Sequence, residues 1–284
     1  MEFISKEKLN GYPLIVTKHS PSFWRVTFDN PPVNLLDLPL VHGVGKVLDD
    51  AEADKNVKVI LFDSANPDFF ICHFDVVTGP DVKNTKGKSG FSAWIDVMLK
   101  MYNSPVISIA STRGRARGNG SEFLLACDMV FASKEKAIFN QVEVGVGVLP
   151  GGGGIEHLAA CVTRSRALEI VIGSEDFTAD VAELYGWINR AIPDAQLDDF
   201  VNALARRIST FDRDIIAEAK ALVNHRTGGG PSGFLMEGSF DAFWNTTKKP
   251  ETKAKFEKLF AWGLQQHSDM ELQFGKYIEK LGEN

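Results

Sequence analysis

The stretch RGNGSEFLLACDMVF, residues 117–131, sets one carboxylate, Glu122, between a glycine-rich turn and the apolar run 123–126. An ion at the mouth of an apolar run needs a reason, because burying an unpaired charge is costly. One reason is local. Asn119 and Glu122 stand three apart, as in a relaxed capping box, with asparagine as N-cap and the glutamate reaching back to its N–H. On this reading a short helix starts here and is followed by a strand at 129–132.

Working outward, three more short apolar runs read as strands: WRVTF at 24–28, VKVILF at 57–62 and VISIA at 106–110. Helical spacing of apolar residues lies between them, at 39–53 and at 91–102. Strands alternating with helices predict an α/β core built of ββα or βαβ units. From about residue 163 the pattern turns helical, with amphipathic segments at 165–172, 179–185, 197–208 and 214–223. The division expected is a core over 1–195 carrying the active site and a helical C-terminal region over 196–284. The tail holds Phe234, Phe240, Phe243, Trp244, Phe256, Phe260, Trp262 and Phe274. These aromatics either close the domain's own core or pack against another subunit.

Composition narrows the function classes. The chain has 284 residues, 44% hydrophobic and 24% charged, with a net charge of −6. That is enough apolar material for a large core, and without a basic block no nucleic-acid surface or polybasic anchor is expected. Cys72, Cys127 and Cys161 are odd in number and show no C-x-x-C spacing, so neither a disulfide framework nor a zinc site is expected. No segment approaches 18 apolar residues, and MEFISKEKLNGYPL lacks a signal-type apolar region. The expectation is a protein of the cytoplasm with no membrane partner.

The glycine tracts fail as nucleotide motifs. LPGGGG at 149–154 has no following G-K-[ST], and Gly145-Val-Gly147 meets Pro150 where a dinucleotide fingerprint needs glycine. What remains is backbone that must turn sharply or approach a ligand closely. His73 and His157 lack metal-ligand spacing to other histidines or cysteines, so no metal is expected. Cys72 and His73, adjacent on a strand, would point to opposite faces rather than pair as nucleophile and base.

Taken together, the segments resemble the enoyl-CoA hydratase/isomerase (crotonase) superfamily. Residues 114–122, GRARGNGSE, resemble the family's G-x-A-x-G-G-G-x-E, and 125–128, LACD, its apolar helix ending in C-D. Residues 137–143, AIFNQVE, fall where the family has A-x-F-x-x-P-E, and PGGGG at 150–154 matches P-G-x-G-G. Supporting matches are NPPVN at 30–34, FICHFD at 70–75 where F-x-A-G-A-D is usual, and AELYGWINRAI at 182–192.

The resemblance implies a spiral of repeated ββα units with a helical C-terminal region that helps form a homotrimer or a dimer of trimers, which favours the subunit-packing reading of the tail aromatics. It implies an acyl-CoA thioester as partner, coenzyme A being part of the substrate and no other cofactor being needed. It further implies a backbone oxyanion hole, placed by position at the N–H groups of Cys72 and Asn119, and two catalytic glutamates, Glu122 and Glu143. The substrate pocket implied is formed by Phe70, His73, Phe74, Gly118 and Gly151. Two preorganised N–H donors are worth about 2.7–4 kcal/mol each to a developing oxyanion. Two glutamates whose pKa values are kept apart can share one water, Glu122 deprotonating it and Glu143 protonating C2, or with the roles exchanged or concerted. The function expected is syn-hydration of a 2-enoyl-CoA.

The chain departs from the family pattern at three places. Cys72-His73-Phe74 replaces A-G-A, Asn119 replaces glycine, and Val142 replaces the proline before the second glutamate. Open alternatives are a double-bond isomerase, a thioester or C–C bond hydrolase in which His73 could serve, and a non-catalytic or RNA-binding paralogue. The acidic balance weighs against RNA.

Overall fold

The computed structural model describes residues 4–282. Seven strands form the larger sheet, in spatial order β1 (Ser5–Lys8), β2 (Leu14–Ser20), β3 (Phe23–Phe28), β4 (Val59–Ser64), β6 (Ile107–Thr112), β8 (Met129–Ser133) and β11 (Arg190–Ile192). A smaller sheet runs β10 (Phe177–Thr178), β9 (Ile138–Asn140), β7 (Arg115–Arg117) and β5 (Phe69–Ile71). The helices are α1 (Leu38–Ala53), α2 (Gly79–Asn84), α3 (Ala93–Asn103), α4 (Asn119–Ala126), α5 (Glu143–Val146), α6 (Gly154–Cys161), α7 (Arg164–Gly173), α8 (Ala179–Tyr185) and α9 (Asp194–Ser209), followed by α10 (Arg213–Arg226), α11 (Gly233–Thr246), α12 (Pro250–Ala261), α13 (Asp269–Leu272) and α14 (Phe274–Gly282).

The chain winds as the repeat predicts. A strand of the large sheet is followed by a short strand of the small one and then by helix, three times over: β4 and β5, β6 and β7, β8 and β9. Each turn adds a parallel neighbour to both sheets. Consequently β5, β7 and β9 end side by side, with Ile71 opposite Ala116 and Arg117 opposite Asn140. The segments leaving those ends build the site, as ligand sites of parallel sheets do.

Strand β4 shows why its sequence is apolar without a break. Ile60 and Phe62 face the main core, whereas Val59 and Leu61 face a second core under α9, where Leu197, Val201 and Ala205 pack. Helix α9 therefore covers the sheet itself, and a boundary at 195/196 would cut inside it. Helix α4 is anchored by Phe123, whose ring stands 5.3 Å from Phe28, 5.1 Å from Phe62 and 6.1 Å from Phe70. Edge-to-face rings add to plain burial here, and they fix the helix that carries Glu122.

The tail aromatics divide. Phe240, Phe243 and Phe274 are buried against the chain's own body, while Phe234 and Phe260 are exposed. Most of them close this chain's core, contrary to the subunit-packing reading that the resemblance favours. Phe74, Phe240, Phe243 and Trp244 form one ring cluster that lays α11 over the end of β5. Among the described residues, no helix is long and apolar enough to cross a membrane.

Candidate active site

Glu122 and Glu143 both come to the ends of the small sheet's strands and both are buried. Glu122 does not take part in a capping box. Helix α4 begins one residue earlier than expected, with Gly118 (φ +48°) as its cap and no side-chain cap hydrogen bond. The Glu122 carboxylate turns instead to the PGGGG turn, where Oε1 accepts from Gly152 N at 2.9 Å and from Gly154 N at 3.1 Å. Burial raises its pKa, those two N–H groups oppose the rise, and the result is about 7. Its Oε2 lies beside the Trp94 indole N–H, which weakly opposes the rise.

Glu143 opens α5 just beyond β9. Burial, and then the charge of Glu122, push its carboxyl well above the ordinary range. Burial thus favours the protonated form of both carboxyls, and at Glu143 the charge of Glu122 adds to it. Glycines make the room. A Cβ on Gly118 would stand 2.8 Å from Glu143 Oε1, and one on Gly152 would stand 2.1 Å from both Glu122 Oε2 and Trp94 Nε1.

The oxyanion donors need one correction. Cys72 N–H donates to Asn34 O at 3.1 Å, so it is already engaged and turned away from α4. Its thiol lies against Glu271. His73 O accepts from Leu36 N at 2.9 Å. Across a trans peptide the next N–H points the opposite way, which turns Phe74 N–H to the far side. Ile71 O marks that side, since a Cβ on Gly120 in α4 would stand 2.1 Å from it. There Asn119, first residue of α4, has an N–H with no intrahelical acceptor. Phe74 and Asn119 line the same cavity, and Cys72, whose N–H is taken by Asn34, does not.

A cavity of about 40 Å³ lies between these groups, lined by His73, Phe74, Gly118, Asn119 and Glu143 together with apolar side chains that include Phe243 and Phe256. Phe70 is not among the lining residues; it packs in the core on Phe28 and Phe123. Nor is Gly151, which faces Phe240 and Phe243 of α11; Gly152 and Gly154 are the members of the turn that bond Glu122. A larger cavity of about 370 Å³ adjoins, sharing Val76, Phe243 and Phe256.

The chain matches the enoyl-CoA hydratase/isomerase family over residues 19–261. It belongs to that family. It is 30% identical, over 70% of its length and 71% of the relative's, to a candidate mitochondrial enoyl-CoA hydratase of Dictyostelium discoideum. It is 27% identical to the short-chain-enoyl-CoA hydratase of Clostridium acetobutylicum, over 70% of this chain and 76% of that one. Among solved structures, that of a candidate enoyl-CoA hydratase from Streptomyces avermitilis superposes with a TM-score of 0.89 at 37% identity, covering 96% of this chain and 99% of the other. The crotonase fold expected from the sequence is the fold observed.

Sequence reasoning missed Phe74 N–H, Trp94, Gly152, Gly154 and a buried cluster from the tail. In that cluster Glu271 accepts from Cys72 Sγ at 3.1 Å and meets His73 Nε2 at 2.8 Å. These three groups have ligand atoms within 4.8 Å of one another, yet they satisfy each other. Burial pushes the Cys72 thiol well above its ordinary value, away from a metal-binding thiolate. Nothing in the local pattern of 70–75 could announce a partner almost two hundred residues away.

Proposed function

We propose that this protein adds water across the double bond of a 2-enoyl-CoA to give the 3-hydroxyacyl-CoA. The observation that carries the reading is the pair of buried glutamates, Glu122 and Glu143, whose carboxyls burial pushes upward. Glu122, with a pKa of about 7, accepts the proton of a water. Glu143, pushed well above the ordinary carboxyl range, delivers its proton to C2. The N–H groups of Phe74 and Asn119 hold the thioester oxygen as negative charge develops on it, at the N-terminal end of α4 where partial positive charge gathers. The coenzyme A of the substrate is the only cofactor this scheme uses.

His73 is unsuited to the C–C hydrolase alternative, since both its ring nitrogens are engaged, by Phe74 O at 2.8 Å and by Glu271. The narrow cavity favours a short acyl group, with Phe243 and Phe256 as the wall toward the larger cavity. The oligomer we propose is a trimer or a pair of trimers, supported by apolar side chains left exposed on α10 and α11, among them Val223, Phe234 and Leu235. Incubation with 2-enoyl-CoA substrates of graded length, with products identified by mass spectrometry, tests the function. A 3-hydroxyacyl-CoA is expected from the short members. A shifted double bond or a free acid as sole product would replace the reading by isomerase or hydrolase.

A further inference from the structure

We propose that His73 is a positioning residue of the oxyanion hole, an imidazolium clamped by Glu271 whose Nδ1–H holds the Phe74 backbone so that the Phe74 N–H stays turned toward the thioester oxygen. This inference rests on the hydratase reading above.

Three observations converge. First, both ring nitrogens of His73 face oxygen acceptors, Nδ1 the Phe74 carbonyl at 2.8 Å and Nε2 the Glu271 carboxylate at 2.8 Å. A neutral imidazole can donate only once, so satisfying both contacts takes the doubly protonated ring. Second, the flanking backbone leaves the Phe74 peptide groups to this one side chain. In the parallel bridge between Leu36 and Phe74, His73 O and Asp75 N bond to Leu36, which turns Phe74's own N–H and C=O the other way. The Nδ1–H therefore grips the carbonyl of the residue whose N–H is the donor. Third, the clamp is braced from the tail. Gln265, at φ +66°, gives its N–H to Glu271 Oε1 at 2.6 Å and its side-chain amide to Asp75 Oδ1 at 2.8 Å, and its Oε1 accepts from Val76 N at 3.2 Å. Arg117 donates to the Glu271 carbonyl.

The charges around the ring agree. Facing His73 are Glu271, the Cys72 thiol and the Arg117 guanidinium, the last paired with Asp176; Phe274 presents only its ring. Burial pulls the His73 pKa down and Arg117 does so weakly, but the Glu271 charge, its hydrogen bond and the Phe74 carbonyl outweigh them, and the net shift is upward. Glu271 is shifted downward, as the partner of a cation should be. His73 lines the cavity and Glu271 does not, so the pair is a dipole with its positive end toward the oxyanion. In a water-poor site such a fixed dipole needs no reorganisation during the reaction.

The test uses the full-length protein, its Glu271→Gln and His73→Asn variants, and butyryl-CoA labelled with ¹³C at the thioester carbonyl, a saturated thioester that cannot be hydrated. Nitrogen-15 NMR of wild-type His73 at pH 7 should show both ring nitrogens protonated, the charge being lost as pH rises through the raised pKa. Bound butyryl-CoA should show a downfield carbonyl shift that shrinks in both variants while its affinity stays within about threefold. In turnover of a short 2-enoyl-CoA, Glu271→Gln should lower kcat about tenfold with little change in KM, a fraction of what deleting a donor itself costs. A singly protonated His73 at pH 7 overturns the proposal, as does an unchanged carbonyl shift in a folded Glu271→Gln protein. A wild type that hydrates nothing and binds no thioester overturns the hydratase reading and this inference together. Normal wild-type turnover with unaffected variants overturns this inference alone.

Discussion

One wall of the site is glycine: Gly118, Gly152 and Gly154 leave room for the carboxylates of Glu143 and Glu122; the other is filled by Cys72, His73 and Phe74 and is held by side chains of the tail. The glycine wall is local. Its pieces are the ends of two successive strands, β7 and β9, and the turns that follow them, and at Gly118 or Gly152 an added methyl group would meet a glutamate carboxylate. The filled wall is assembled over long range, with Glu271 and Gln265 reaching back to residues 72–76. The lesson is that an oxyanion segment need not be made of small residues if another part of the chain fixes it. Substitutions on either side separate the two walls.

The largest effect should come from Glu143→Gln, which removes the proton donor while keeping the shape. Turnover should fall between about 10²- and 10⁴-fold, with butyryl-CoA affinity nearly unchanged by calorimetry; full activity would remove Glu143 from the chemistry. In the wild type, kcat/KM should rise with pH as Glu122 ionises around 7 and fall again once Glu143 loses its proton. Glu122→Gln should abolish the acidic limb in a stopped-flow pH series.

Next is Gly152→Ala, whose Cβ would meet Glu122 Oε2 and Trp94 Nε1 at 2.1 Å. Turnover should fall about 10²-fold, as small misplacements of a catalytic group do. That loss, set beside the roughly tenfold effect expected for Glu271→Gln, ranks the glycine wall above the clamp. Equal losses would mean the two walls are equally rigid.

Smaller is the effect of Phe256→Ala, which opens the wall between the two cavities. The ratio of kcat/KM for six-carbon over four-carbon enoyl-CoA should rise by about tenfold, within what a few buried methylenes supply.

The smallest effect concerns stability. Glu143 has its folded pKa raised above the unfolded value of 4.5, so the fold carries a penalty that is absent below 4.5 and grows as pH rises toward the folded value. Glu143→Gln should therefore raise the melting temperature at pH 8 by about 2–4 °C and leave it unchanged at pH 4, measured by calorimetry. The opposite pH dependence would mean that Glu143 is stabilised as the anion.

Much of the glycine wall was legible in the sequence. The spacing from Gly114 through Glu122 and Glu143 to PGGGG reports successive turns of one spiral, and the long strands and helices showed in their apolar periods. The short strands of the small sheet, two or three residues each, are too brief to carry a period. The filled wall was misread for a related reason. Position alone put the donor at Cys72, whereas the pairing of 34–36 with 72–75 commits that N–H to Asn34 and turns Phe74 inward. The partners of His73 come from a tail whose aromatics pointed to another subunit, though most of them pack on this chain.

The most direct test of the central claim, that Glu122 and Glu143 jointly add one water, is the reaction of a short 2-enoyl-CoA in water enriched in both ¹⁸O and deuterium. A 3-hydroxyacyl-CoA carrying ¹⁸O at C3 and one deuterium at C2 is predicted, formed by the wild type and at least about 10²-fold more slowly by either Glu122→Gln or Glu143→Gln. Labelled product from both variants at the wild-type rate would contradict it.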